Sequence, residues 1–234
     1  MYIVFITILA IMFVLVPIID ATGFLDGKAD PNDDASKVKC KEYYATIAYL
    51  WVLVTPVFIM CIIGGISLAD IGFRPISFNH DVWITAIIIT LAVVLFIYEF
   101  VIPLVRIKKI REKIINDAKE DIDEYPRTSK EKWLYSLEAL SSGICEETVY
   151  RGFLLFLLYA IFPGIPIYLI GLIAFVAFGI GHLYQGWRNA VVIGLFGVLS
   201  IYLLIVTDSL IPSILLHFFG EFADTFTISQ KHGN

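Results

Sequence analysis

Runs of about twenty apolar residues recur along this chain and leave it little choice of fold. They are Met1 to Ile19, Ala45 to Ile66, Trp83 to about Val105, Trp133 to about Ile161, Ile167 to about Leu183, Ala190 to Val206 and Leu210 to about Ile228. The hydrocarbon core of a bilayer is about 30 Å thick, and about 20 residues of helix cross it. In that solvent a helix satisfies every backbone polar group within its own segment. The expected fold is therefore all-α, a polytopic transmembrane helix bundle of about seven spans. Composition agrees, with 59% hydrophobic and 17% charged residues, far from the balance of a soluble globular domain.

The polar segments orient the bundle. Arg106 to Lys132 carries nine Lys or Arg among seven acids, with Ile107, Ile110, Ile114, Ala118 and Ile122 at helical spacing. That pattern fits an amphipathic helix on the membrane surface, and equally a solvated helix packed on the protein's own loops. Either way its basic density puts loop 106–132 on the cytoplasmic side. Loop 67–81, with Arg74, is then outside, and polar loop 20–42, with Lys28, Lys37, Lys39 and Lys41, is inside. The run Met1 to Ile19 lacks a basic leading region and a small-residue cleavage pattern, so it reads as a retained span rather than a signal peptide. Two regions result: 1–129, the N-terminal spans with the cytoplasmic amphipathic segment, and 130–234, the core that carries the chemistry.

One stretch breaks the apolar rule. Cys145-Glu146-Glu147-Thr148-Val149-Tyr150-Arg151 sets three charged groups inside a membrane-length run. Each costs roughly 2.5 to 3.5 kcal/mol on insertion scales, so such residues face a bundle interior and mark functional sites. At helical spacing Glu147 and Arg151 are i,i+4 neighbours that can pair. Glu146 lies about 140° around the helix from Arg151 and is the carboxylate left free, a candidate general base. Cys145 reads as a small apolar helix residue, Glu99 as an interfacial one. Cys40, Cys61 and Cys145 show no disulfide or zinc spacing.

Of the four histidines, His182 and His217 fall in apolar runs after the Glu pair. With the outer turn at Phe162-Pro163-Gly164-Ile165-Pro166, Glu146 pairs in depth with residue 181, next to His182. Glu221 shares the face of His217 at i,i+4, with Asp224 one turn on. Counting down the last hairpin sets His217 nearer the outer face than His182 by roughly 15 Å, unless Pro212 and the Thr207-Asp208-Ser209 break let that segment dip. Two histidines and a free carboxylate could position and activate a water and stabilise an oxyanion, as peptide hydrolysis requires. Glu146, His182 and His217 could instead ligate a divalent metal such as zinc, although H-E-x-x-H is absent. No basic patch points to nucleic acid.

Over about residues 130–226 the chain resembles the CPBP (CaaX protease and bacteriocin-processing, or Abi) intramembrane proteases, which include the Ras-converting CaaX endopeptidase. The motif EExxxR stands as Glu146-Glu147-x-x-x-Arg151, and FxxxH as Phe178-x-x-x-His182. The third motif, HxxxN or HxxxD, stands as His217-x-x-x-Glu221. The resemblance implies a membrane-embedded bundle in which Glu146 and His182 activate water while His217 and residue 221 support the oxyanion. Glu221 departs from the pattern, because an ionised carboxylate repels an oxyanion where an amide would donate to it. It is protonated, or it orients His217 from behind, or it ligates a metal.

The expected activity is intramembrane hydrolysis of a peptide bond in a membrane-associated substrate, prenylated or a secreted peptide, by glutamate-activated water or with a metal. The competing reading is a non-catalytic immunity or partner-binding protein, or an ion or proton carrier, built on the same polar core. A carrier needs polar groups along a path to both faces, and the outer halves of these runs offer little besides Asp208.

Overall fold

The computed structural model describes residue 7 and residues 35–78, 81–98, 126–183 and 186–227. The first apolar run apart from residue 7, Glu99, residues 106–125 of the charged stretch and the polar tail after residue 227 lie outside the described residues. Among the described residues the chain is all helical. Its elements are α1 (Ala35–Gly64), α2 (Val82–Phe96), α3 (Ser129–Glu147), a π-helical turn (Thr148–Phe153), α4 (Leu154–Ile161), α5 (Ile167–Gly181), α6 (Trp187–Thr207) and α7 (Ile211–Thr227). By length and composition α1 and α6 can cross a membrane. Helix α2, helix α5 and the Ile211–Ala223 part of α7 are apolar but shorter.

Residues 35–42, expected in a polar loop, are the first turns of α1. Packing explains the difference: Cys40 and Tyr43 bury against Leu134 of α3, and the Tyr43 and Tyr135 rings meet edge to face at 5.7 Å. Helix α1 then runs through Pro56 without a break. Helix α3 begins in a capping box. Glu131 N–H donates to Thr128 Oγ1 at 3.2 Å, and Glu131 Oε2 accepts from the backbone of Thr128 at 3.4 Å and of Arg127 at 2.7 Å. The Ser36 hydroxyl of α1 donates to the other Glu131 oxygen, so one buried carboxylate ties the two helix starts together.

The chain reverses inside the bundle between α6 and α7. Helix α6 ends at Asp208, which is left-handed at φ 56°. The connection 67–78 closes over this break. Leu210 N–H donates to Gly72 O at 2.8 Å, Ser77 N–H to Thr207 O at 2.8 Å, and the Ser209 hydroxyl to Arg74 O at 2.7 Å. Arg74 pairs with the Asp208 carboxylate. Mutual pairing is what lets non-helical backbone sit away from water.

Gly152 fixes the level. A Cβ there would stand 2.3 Å from Ile71 O and 2.9 Å from Leu210 Cδ1. Gly152 precedes the end of α4 by nine residues, or roughly 13 Å of helix. Helix α7 therefore starts well below that end and runs back along α3, where a Cβ on Gly143 would meet Ile214 O at 3.2 Å. Helices α5 and α6 form an antiparallel pair closed by small residues. Gly179 faces Ala190, and Gly197 faces Ala174 and Phe178.

Two measurements check this account. Gly152→Ala should lower stability by about 1 to 3 kcal/mol, seen as a lower thermal midpoint in detergent, because the obstructing atom is backbone. Burial acts to raise the Glu131 carboxyl, but hydrogen bonds from Ser36, Arg127 and Thr128 outweigh it and bring the pKa from 4.5 to about 2. A depressed folded value means that the stabilisation is complete above pH 4.5 and is lost as pH falls toward 2. Glu131→Gln should thus melt below wild type at pH 7, and the gap should narrow by pH 3.

Candidate active site

The charged cluster sits where α3 passes into the π turn. Thr148 turns its hydroxyl back to Ile144 O at 2.6 Å, the side-chain bond that bends helices. The wide turn Thr148–Phe153 follows at once, and such turns recur at functional sites. Glu147 is the last α-helical residue and Arg151 lies within the π turn, both with no accessible surface.

Glu147 divides its carboxylate between two elements. Oε2 is 3.2 Å from Arg151 Nε, the expected i,i+4 pair. Oε1 is 2.9 Å from His217 Nδ1 on α7. The Arg151 contact is an ion pair by distance alone, since no guanidinium nitrogen makes a hydrogen bond. The cation instead lies over aromatic rings, with Cζ 3.8 Å from the Phe178 centroid and 5.6 Å from Phe196. Cation–π attraction of this kind is worth about 2 kcal/mol when desolvated.

His217 is held at both nitrogens. Nε2 is 3.0 Å from Glu221 Oε1, and the ring meets Phe196 edge to face at 5.5 Å. Glu221 thus contacts His217 on the side opposite Glu147. The side chains differ in exposure, 0% for Glu147 and 38% for Glu221. Its partner on Nδ1 is fixed, while that on Nε2 borders accessible space. The expected 15 Å offset of His217 is corrected by the sunken start of α7, which brings His217 level with Glu147.

His182 joins through Phe178. Its Nδ1–H donates to Phe178 O at 2.9 Å, which fixes the orientation of the ring. The rings of Phe178 and His182 are 4.6 Å apart, and Phe178 also meets Tyr150 at 5.1 Å and His217 at 6.4 Å. Tyr150 packs against α5, since a Cβ on Gly181 would stand 3.1 Å from its hydroxyl.

Glu146 is partly buried and is not joined to Arg151. Oε1 accepts from the Ser142 hydroxyl at 3.3 Å, and Oε2 is buried with no hydrogen-bond partner. Sequence reasoning missed Ser142, which also lies 3.2 Å from Glu221 Oε1 and 3.4 Å from His217 Nε2. It missed Glu138 too, whose Oε2 is buried without a hydrogen-bond partner. Residues 138, 142 and 146 recur at four-residue spacing, a polar stripe that could have been read. Nothing in the sequence marks Phe196. The side chain of Asp224 lies outside the described residues.

Among the described residues no three His, Cys, Asp or Glu groups are arranged to hold a metal ion. The donor chemistry explains why Glu146, His182 and His217 do not fit one as placed. Both His217 nitrogens face carboxylate oxygens within 3.0 Å, so a metal at either would have to displace a carboxylate already in place.

Residues 128–223 match the Rce1-like family model, type II CAAX prenyl endopeptidase Rce1-like. No curated protein and no solved structure matches the chain. The matched segment runs from the cap of α3 into α7 and holds all three motifs, so the resemblance read from them is borne out. The description of that family is of a prenyl endopeptidase. Within and beside the matched segment, α6 and α1 are long and apolar enough to cross a membrane.

Truncating Glu147 leaves a fully buried guanidinium without its carboxylate, a change that costs about 3 to 5 kcal/mol. Glu147→Ala should accordingly lose folded protein on purification or melt far below wild type in detergent. An unaltered melting curve would contradict the assignment of Glu147 as the partner of Arg151.

Proposed function

We propose that the chain is a multi-pass intramembrane endopeptidase that hydrolyses a peptide bond in a membrane-associated substrate, with prenylated C-terminal peptides as the first class to test. The observation that carries this reading is the Glu146 carboxylate, with one oxygen engaged by Ser142 and the other buried without a partner. Loop 106–132 is taken as cytoplasmic, so α3 leads from that side toward the site.

In this mechanism Glu146 Oε2 takes a proton from water as the water oxygen attacks the scissile carbonyl carbon. Nε2 of His182, whose ring is held through Nδ1 by Phe178 O, accepts the second hydrogen bond of that water and aligns it. The carbonyl oxygen gains negative charge. His217 meets it through Nε2, where the carbonyl displaces the partly exposed Glu221, while buried Glu147 keeps the ring oriented through Nδ1. On collapse the C–N bond breaks, and the proton held by Glu146 passes to the leaving amine. Glu146 is thereby returned to its starting form. Occupation of both His217 nitrogens by carboxylates favours this route over metal ligation at that residue.

The test is cleavage of a prenylated peptide by purified protein in proteoliposomes, with products read by mass spectrometry. Glu146→Gln and His182→Ala should each lower the rate at least about 100-fold while melting close to wild type. Activity retained in either variant would overturn the reading. Exhaustive chelation with metal analysis should leave the rate unchanged, and loss restored by added zinc would move the mechanism to a metal.

A further inference from the structure

Several hydroxyls on these helices serve their own backbone. Thr55 donates to Trp51 O at 2.7 Å, Thr90 to Ala86 O at 2.7 Å, Ser136 to Lys132 O at 2.7 Å and Thr207 to Leu203 O at 2.7 Å. Ser142, in the same helix as Ser136, does not. Its buried hydroxyl faces Glu146 Oε1 at 3.3 Å, Glu221 Oε1 at 3.2 Å and His217 Nε2 at 3.4 Å.

A serine hydroxyl has one proton to donate and two lone pairs. Two carboxylates compete for that proton here, and the imidazole or a protonated carboxyl can supply a bond to the lone pairs. The hydroxyl therefore has two arrangements, donating to Glu146 or to Glu221. Donation to Glu146 pins Oε1 and presents Oε2. Donation to Glu221 satisfies that carboxylate when its bond to His217 Nε2 is given up.

From this geometry we infer that Ser142 is a positioning residue: its hydroxyl holds the carboxylate of Glu146 in register with the His217–Glu221 pair and couples the two halves of the site. The inference rests on the endopeptidase reading for its kinetic consequence but not for the coupling itself. As substrate draws His217 Nε2 away from Glu221, the Ser142 proton is available to Glu221. The oxyanion side of the site and the water-activating side then respond to each other.

The experiment compares wild type, Ser142→Ala and Ser142→Thr by cleavage kinetics in proteoliposomes, and by histidine ring 15N NMR in nanodiscs. Ser142→Ala should lower kcat about tenfold or more with KM nearly unchanged, and Ser142→Thr, which keeps the hydroxyl, should recover most of the rate. If the added methyl of Ser142→Thr prevents folding, Ser142→Cys serves, with a weak donor and an intermediate rate.

In the NMR arm Glu146→Gln should move the His217 Nε2 resonance, and the same change made in the Ser142→Ala background should move it by less than half as much. Unchanged kcat in Ser142→Ala, or equal shifts in both backgrounds, would overturn the inference. So would loss of fold in Ser142→Ala, which would make the role structural. A wild type that cleaves nothing would remove the endopeptidase reading, and the NMR comparison would still decide the coupling.

Discussion

Glu147 is a carboxylate without accessible surface, and the bundle is built around keeping it compensated. One oxygen answers Arg151 within its own helix and the other answers His217 across to α7. An ion pair this deep is weak as a source of stability, because desolvating both charges offsets their attraction. What it does supply is uniqueness of packing. Any sliding of α7 along α3 would part His217 from Glu147 and leave charge stranded in a dry interior. The Phe178 ring under the guanidinium extends that constraint to α5, and Phe196 extends it to α6. Four elements are thus registered by one cation and its surroundings.

The close approach of α3 and α7 depends on small residues and on a reversal placed inside the bundle. Gly143 lets the α7 backbone near, and Gly152 lets Ile71 O and Leu210 in above it. Between them lies the distance from Glu147 to His217. The connection 67–78 resembles a plug: Ser77 N–H goes to Thr207 O of the break and Leu210 N–H of the break goes back to Gly72 O. The last helix can therefore start at the level where its histidine is needed.

Much of this was legible in the chain. The helix ends near Ile161, Gly181, Thr207 and Thr227 follow from breakers and from the lengths of the apolar runs, and the Glu147–Arg151 pair follows from helical spacing alone. The level of His217 was not legible, because counting residues assumes that every turn lies at a membrane surface. The break at Asp208 leads instead into Leu210, which packs against Gly152, nine residues short of the end of α4. The partnership of His217 with Glu147 rather than with the freer Glu146 was also hidden, since both sit on one helix and a tertiary contact chose between them. Ser142 was passed over because a serine in a helix ordinarily back-bonds, and only the structure shows that this one does not. The start of α1 extends into a stretch as polar as any loop because Ser36 finds Glu131 and Tyr43 finds Tyr135.

The π turn at Thr148–Phe153 bears on how this segment can vary in length. A π turn holds one residue more than the α turn it replaces, so it behaves as an insertion absorbed without breaking the helix. Taking one residue out of 148–153 would restore regular α-helix and leave α4 nearly where it is, because six residues of the wider π turn cover about the same rotation as five at 100°. What such a deletion would change is local: the placement of Arg151 under Phe178 and of Gly152 against Ile71 depends on the extra residue in between.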